Sequence, residues 1–494
     1  MRLRVIQKRC QGHNRCHALA PELFEPDEYG SSRAVNDGVV PAELEGKGEL
    51  AFNNCPEFAI ERIDEGDGRA DMQPPPRANR EQQPAVKTAE AVRDWSSDCD
   101  IFHPSYIRDP VPIWRALRVR CPISRTERWG GSWLSTRYAD VRAMVHMVPE
   151  LSSRDPLVMA PPEELFAEGG EYGLNTPPIT SDPPDHLPMR RLILPFFTPK
   201  AVAQHRVFTT ELCHRLIDSF EREGWCDAAA DYARQIPPRV IAHMLGVDLG
   251  RADQFVEWAR GVLEIELAQP EERLESRTAI RQFFAELVAE RRQRPGDDLI
   301  SAILAQQIDG ERVPDHRVVG ICYLLLVAGI DTTWSAISAA FWHLGTHSEH
   351  RRRLARQPEL VSTATEELLR VYAPVTMARV ATEEVTMGEV TFQPGDKVLL
   401  NFPAANLDPE AFEYAEEVVL DREHNRHIAF GLGIHRCAGA NLARMEMNVA
   451  LRAWFERIPE FEVQDPDAVA WSGGQVRGPR TVPVRWDVKD SVCR

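Results

Sequence analysis

From about residue 91 onward apolar positions recur at helical spacing, and the longest such stretch, 318–344, is apolar almost throughout. Its length is close to that of a membrane span, yet Asp331 stands at its middle with Gly329, Thr332 and Thr333 beside it. A charge at a bilayer centre is costly, so the pattern predicts an interior helix with a functional centre and no stable membrane insertion. Strand-like pieces lie at 123–128, 131–136 and 398–401. Residues 1–64 are patterned differently: a short strand over 3–6, a Cys-rich loop, a second strand near 32–35, and a helix from Pro41 that Cys55-Pro56 ends. Between the two, residues 65–90 change to Gly, Asp, Gln and Pro, including Pro74-Pro75-Pro76, which predicts a solvated, semi-extended linker. The expected organisation is a small module over 1–64, a linker over 65–90 and a large, mostly helical domain over 91–494. No repeat of fixed period is present, which disfavours solenoids and propellers.

Charge narrows the partners. The 494 residues carry a formal net charge of -17, which argues against nucleic acid and against an anionic membrane surface, and makes basic proteins the expected electrostatic partners. The ten cysteines are scattered without the density of a disulfide framework, so reduced cytosolic thiols are expected. The opening MRLRVIQKRC has no apolar core and no small-residue cleavage site, so a cytoplasmic protein is expected.

One cysteine stands apart. Phe430-Gly-Leu-Gly-Ile-His435-Arg-Cys437-Ala-Gly439 places it in a glycine-punctuated loop just before a helical pattern. Gly431, Gly433 and Gly439 suit sharp turns or close approach to a ligand, and exposed amides with a helix N-terminus stabilise negative charge on sulfur. The loop resembles the haem-binding signature of the cytochrome P450 family, F-G-x-G-x-H-x-C-x-G, at every fixed position. That resemblance implies a mainly α fold with a small β region, haem b, and Cys437 as the thiolate on its iron. Such a ligand favours O–O cleavage. Phe430, Gly431 and Gly439 would shape the haem's seat.

Three further motifs follow in the order the resemblance requires. In Ala328-Gly329-Ile330-Asp331-Thr332 the small residues would let a flat cofactor and a diatomic ligand approach the helix backbone, and buried polar groups there demand a reason. The resemblance makes Thr332 the hydroxyl that hydrogen-bonds the oxygen being activated and Asp331 its neighbour in proton delivery. The plain alternative is a Thr bonded to its own helix carbonyl beside an Asp in a salt bridge. Glu367-Leu-Leu-Arg370 sets opposite charges three apart on a helix face. By resemblance this pair is buried and joined by Arg422, a structural network holding the cysteine loop. His186 and Arg190, four apart at a proline-initiated helix start, form a face that can grip carboxylates. The resemblance makes His186, Arg190, Arg379 and His435 the partners of the haem propionates, while Pro188 departs from the commoner pattern and threatens the His186 to Arg190 geometry.

The N-terminal module has its own chemistry. Cys10-Gln-Gly-His-Asn-Arg-Cys16, with Cys55-Pro56 at a distance, supplies three soft ligands suited to iron–sulfur or zinc. The segment resembles small bacterial ferredoxins with one [3Fe-4S] cluster, which implies Cys10, Cys16 and Cys55 as ligands. His13 stands where a further cysteine would be; a non-ligand beside three irons, a fourth ligand to four irons, and one ligand of a Cys3His zinc site all remain open.

The two resemblances together imply a monooxygenase that takes O2 and a medium-sized apolar molecule, with electrons relayed through its own ferredoxin. No strand-linked G-x-G-x-x-G occurs, so a separate NAD(P)H-dependent ferredoxin reductase is expected. A flexible linker of this length spans about 25 to 30 Å, an effective concentration on the order of mM. Substrate contacts are expected from 148–180 and 249–292, from Ala328 and from the Val375-Thr376-Met377 turn. Peroxide or rearrangement chemistry, and a zinc-bearing docking module, are the alternatives.

Overall fold

The computed structural model describes residues 1–63, 91–159, 176–263 and 270–488. The expected linker, 65–90, lies outside them, as does part of each segment expected to cover the substrate.

The N-terminal module closes on itself. Leu3–Val5 alternates buried, exposed, buried and pairs antiparallel with Ile60–Arg62, bringing the two ends together. A second antiparallel pair, Phe24–Pro26 with Ser32–Ala34, and two helices, Arg15–Leu19 and Glu45–Asn53, complete it. Its own apolar cluster contains Leu3, Val5, Ala20, Leu23, Phe24, Ala51 and Ile60. The helix expected from Pro41 begins as a 3-10 turn, Ala42–Leu44.

In the remainder, a mostly helical body is built around the long helix Asp315–Thr346. That helix is long and apolar enough to cross a membrane, but 78% of its most apolar stretch is buried within the protein. Its apolar character is that of a core helix, wrapped by Ile236–Leu245, Pro270–Gln293 and Ala440–Arg457. Gly329 serves this packing, since a Cβ there would lie 2.9 Å from Ile241. The small residue admits a neighbouring helix, where the sequence suggested a cofactor.

A five-stranded sheet flanks the helices in the order Ile123–Thr126, Ser132–Ser135, Lys397–Asn401, Thr376–Ala381, Leu151–Ser152, antiparallel except for the Ser132–Ser135 and Lys397–Asn401 pair. The strand Thr376–Ala381 carries Arg379 inward, and its burial is nearly continuous. No period-2 alternation marks it in the sequence.

Candidate active site

The cysteine loop is shaped by its glycines. Gly431 and Gly433 take φ of +67° and +65°, and a Cβ on Gly433 would lie 3.2 Å from Val145. The Cys437 amide donates to the Phe430 carbonyl at 2.8 Å, and the helix Ala440–Arg457 starts just past Gly439. Burial pushes the Cys437 thiol up, while the Arg436 guanidinium and the Gly439 amide pull it down.

Within this enclosed loop the Cys437 side chain is exposed, and so is Ala328 in the middle of the long buried helix. Exposed positions inside interior elements mark the wall of an internal hollow. At the same site, His186 and His435 pack ring to ring at 4.4 Å between centroids. Arg190 Nη2 donates to the Arg436 carbonyl at 2.6 Å and Arg379 Nη1 to the Ala378 carbonyl at 2.8 Å. His186 Nε2, His435 Nε2 and Arg379 Nε are buried without partners. Burial lowers all four side chains, to about 4 for His186, about 2 for His435 and about 10 for Arg190 and Arg379; nearby guanidinium groups press the two imidazoles down further. Clustered donors short of negative charge are suited to carboxylates. With a soft thiol beside them, the set fits haem: the four for its propionates, Cys437 for its iron. Pro188 falls in the first turn of the helix His186–Ile193, where its missing N–H has no intrahelical partner to lose, so His186 and Arg190 both stay buried.

Thr332 Oγ1 donates to the Ala328 carbonyl at 2.7 Å. Asp331 is fully buried and pairs with Arg480 at 2.9 Å, and Arg480 also donates to Ser335 Oγ at 2.8 Å and lies 4.4 Å over the Trp334 ring. Both polar groups thus have local partners at rest, the arrangement of the plain alternative. Arg480 is a site residue that the sequence did not disclose, since nothing marks a loop arginine 149 positions away.

Glu367 and Arg370 are 0% exposed and joined by bonds of 2.8 and 2.9 Å. Arg422 Nε reaches both Glu367 oxygens at 3.0 and 2.9 Å, and Asn425 Nδ2 adds a bond of 3.0 Å. Arg370 donates to the carbonyls of Asn406 and Glu417 at 2.9 and 2.7 Å, tying the helix Val361–Val371 to the chain leading into the cysteine loop.

In the N-terminal module Cys10, Cys16 and Cys55 line one small hollow, partly open to solvent, with His13, Ser32 and Glu57. The Ser32 amide donates to Cys10 Sγ at 3.2 Å and the Ala59 amide to Cys55 Sγ at 3.3 Å. Burial pushes Cys16 up to about 12 and raises Cys55; a bound cationic centre is what would make such thiols thiolates. Amides aimed at sulfur fit an iron–sulfur cluster. Among the described residues no three His, Cys, Asp or Glu side chains converge to hold a single metal ion. His13 Nε2 is engaged with Glu57 Oε1 at 3.1 Å.

This module is seated against the cysteine loop. Arg436, between His435 and Cys437, donates to the carbonyls of Gln11 and Gly12 at 3.3 and 2.7 Å, directly after Cys10. In return Glu57, two residues past Cys55, accepts from the Gly433 amide at 2.8 Å. Around this core Asn54 exchanges bonds with Glu423 and Asn425 at 2.8 and 2.7 Å, and the Phe58 ring sits 4.0 Å from Arg142 and 4.3 Å from Arg426. Arg15 pairs with Glu366. Sequence reading passed over Glu57, Arg436 and Glu366; each touches a motif it did single out.

Comparisons with known proteins agree with both halves. The family description "Cytochrome P450" matches residues 237–470, and "4Fe-4S single cluster domain" matches residues 4–62. The chain is 34% identical over 374 residues to the mycinamicin IV hydroxylase/epoxidase of Micromonospora griseorubida, covering 74% of this chain and 92% of that one. It is 35% identical over 398 residues to the nocardicin C N-oxygenase of Nocardia uniformis subsp. tsuyamanensis, covering 78% and 96%. Among solved structures, the cytochrome P450 of the bacillaene polyketide synthase of Bacillus subtilis 168 superposes with a TM-score of 0.72 at 29% identity, covering 78% of this chain and 99% of that one. The chain belongs to the cytochrome P450 monooxygenases, and it carries an N-terminal domain of the single-cluster ferredoxin kind.

Proposed function

We propose that the protein hydroxylates or dealkylates a medium-sized apolar organic substrate in the cytoplasm, with each electron arriving from a separate NAD(P)H-dependent ferredoxin reductase and passing through its own N-terminal cluster. The observation that carries this reading is the pair of hydrogen-bonded bridges between the two ligand loops. One runs from the Cys10 segment through Arg436 to Cys437, the other from the Cys55 segment through Glu57 to Gly433. Domain limits of 1–64 and 91–494, with 65–90 between, suit this arrangement.

Bound haem would supply oxygen activation, and the protein would supply its orientation and a thiolate ligand. In this reading Cys437 holds the iron, and His186, Arg190, Arg379 and His435 hold the propionates. Phe430, Gly431, Gly439 and Ala328 shape the seat, and Glu367, Arg370 and Arg422 fix the loop. Thr332 releases the Ala328 carbonyl and turns toward the substrate side, where with Asp331 it hands on protons. Cys10, Cys16 and Cys55 hold a [3Fe-4S] cluster; the engagement of His13 Nε2 by Glu57 favours a non-ligand histidine.

The test is anaerobic stopped flow on the full chain, with the cluster reduced first and ferrous haem trapped by carbon monoxide. First-order haem reduction independent of protein concentration is expected. A rate proportional to protein concentration would sink the internal relay. Electron paramagnetic resonance of the oxidised protein reads the cluster type, a three-iron signal being expected. The resting partners of Thr332 and Asp331 favour a second reading, peroxide or rearrangement chemistry, in which Thr332→Ala leaves turnover unchanged.

A further inference from the structure

We propose that the ferredoxin domain is a resident of the cysteine-ligand face, held in an ion-pair socket centred on Glu366, and that it thereby closes that face to any other electron carrier. This builds on the relay reading for its purpose, while its test reads docking alone.

Glu366 stands next to Glu367 on the helix Val361–Val371, and the two carboxylates divide the work. Glu367 faces the haem domain's internal network. Glu366 receives Arg444 at 2.6 and 3.0 Å and His427 Nε2 at 3.0 Å from its own domain, then Arg15 from the ferredoxin domain. Both Arg15 and Glu366 are more than nine-tenths buried. Arg444 in turn lies 4.5 Å over the Phe430 ring, so the socket abuts the cysteine loop itself.

Weak electron carriers meet their partners across small, wet surfaces. The contacts here are of another kind. Asn54 is 0% exposed and makes one bond in each direction across the boundary; the Gly433 amide ends on Glu57; Phe58 is clasped between two guanidinium groups. Removing one member of a buried charge set leaves the others unpaired, which costs far more than losing a surface pair. The covered surface includes Gly433 and Arg436, the neighbours of Cys437, so a free ferredoxin finds no path of similar length while the domain is seated.

The test starts from full-length holoprotein with a specific protease site placed within 65–90. After cleavage, cluster and haem absorbance are followed through size exclusion at a concentration on the order of 1 μM, where a transient pair comes apart. Co-elution is expected, with Arg15→Ala and Phe58→Ala each weakening retention about 30-fold, the scale of a truncated hot spot. The ferrous-carbonyl spectrum and cluster resonance of each variant check folding. Separation of the wild-type halves, or variants that hold as well as wild type, would overturn the proposal. In a second arm an unrelated ferredoxin with its reductase is added. It should reduce haem in the cleaved Phe58→Ala protein and fail to do so directly in the uncleaved protein whose cluster is kept oxidised; equal reduction in both overturns exclusion. Co-elution without cluster-to-haem transfer would end the relay reading and leave the docking intact.

Discussion

In the proposed reading, Thr332 and Asp331 are satisfied by local partners at rest and still supply the groups for proton transfer. The hydroxyl spends its proton on the Ala328 carbonyl, a bond that competes with any new partner. Thr332→Ala should therefore leave the haem spectrum and substrate affinity intact while product formed per electron falls by roughly 10²-fold, the low end of what a positioned proton donor contributes. Product yield against NAD(P)H consumed is the measurement, and unchanged coupling would remove Thr332 from proton delivery. Arg480→Ala tests the neighbour. It takes away the cation 2.9 Å from buried Asp331, and a stranded buried charge costs about 3 to 5 kcal/mol. Denaturant midpoints should show that loss, and Arg480→Lys should recover part of it. The motif around Thr332 was legible because polar residues interrupt an apolar helix. Its partner was not, because a contact between residues 331 and 480 leaves no local trace in composition or spacing.

At the scale of elements, adjacent carboxylates on one short helix serve two structures. Burial alone would raise Glu366 and Glu367, but Arg444, Arg15 and His427 hold the first well below the ordinary carboxylate range, and Arg370 and Arg422 lower the second. Glu367→Gln leaves two buried guanidinium groups short of charge and should cost about 3 to 5 kcal/mol, with loss of haem on purification as a second readout. Acid acts earlier, through histidine. His343 on the long helix bonds the Tyr372 hydroxyl and His350 at 2.8 Å each, and burial lowers it from 6.5 to about 2. The folded protein keeps it neutral while the unfolded chain takes up a proton below about pH 6.5, so stability falls as pH falls. Between pH 7 and pH 5 this one group removes about 2 kcal/mol. Urea midpoints at the two pH values should differ accordingly, and His343→Gln should shrink the difference by about that amount. The long helix and the cysteine loop were readable in the sequence because periodicity and glycine spacing are local. The strand Thr376–Ala381 was not, since a strand buried on both faces shows no alternation, and the paired role of Glu366 required knowing what lay opposite.

For the whole molecule, the sequence disclosed two units and the family of each, but not their mutual placement, which rests on main-chain carbonyls of Gln11 and Gly12 and on the Asn54 side chain, with no sequence signature. That placement would separate the two electron transfers of the proposed relay electrostatically. In the proposed relay, transfer from cluster to haem would cross a buried seam in which Arg15, Glu366, Glu57 and Arg436 are enclosed, and buried charges are screened little by salt. Transfer from the proposed reductase would begin with an encounter in solution, steered by the long-range field of a chain with net charge -17. Such steering falls steeply with ionic strength. Raising salt from about 0.05 to 0.5 M shortens the screening length from about 14 to 4 Å. Cluster reduction by a basic reductase should then slow by roughly tenfold or more, while haem reduction from the filled cluster stays within about twofold. Stopped-flow absorbance at cluster and haem wavelengths separates the two rates in one experiment. Equal slowing of both would mean that the ferredoxin domain leaves its seat to collect each electron, and the linker, not the Glu366 socket, would then set the second rate.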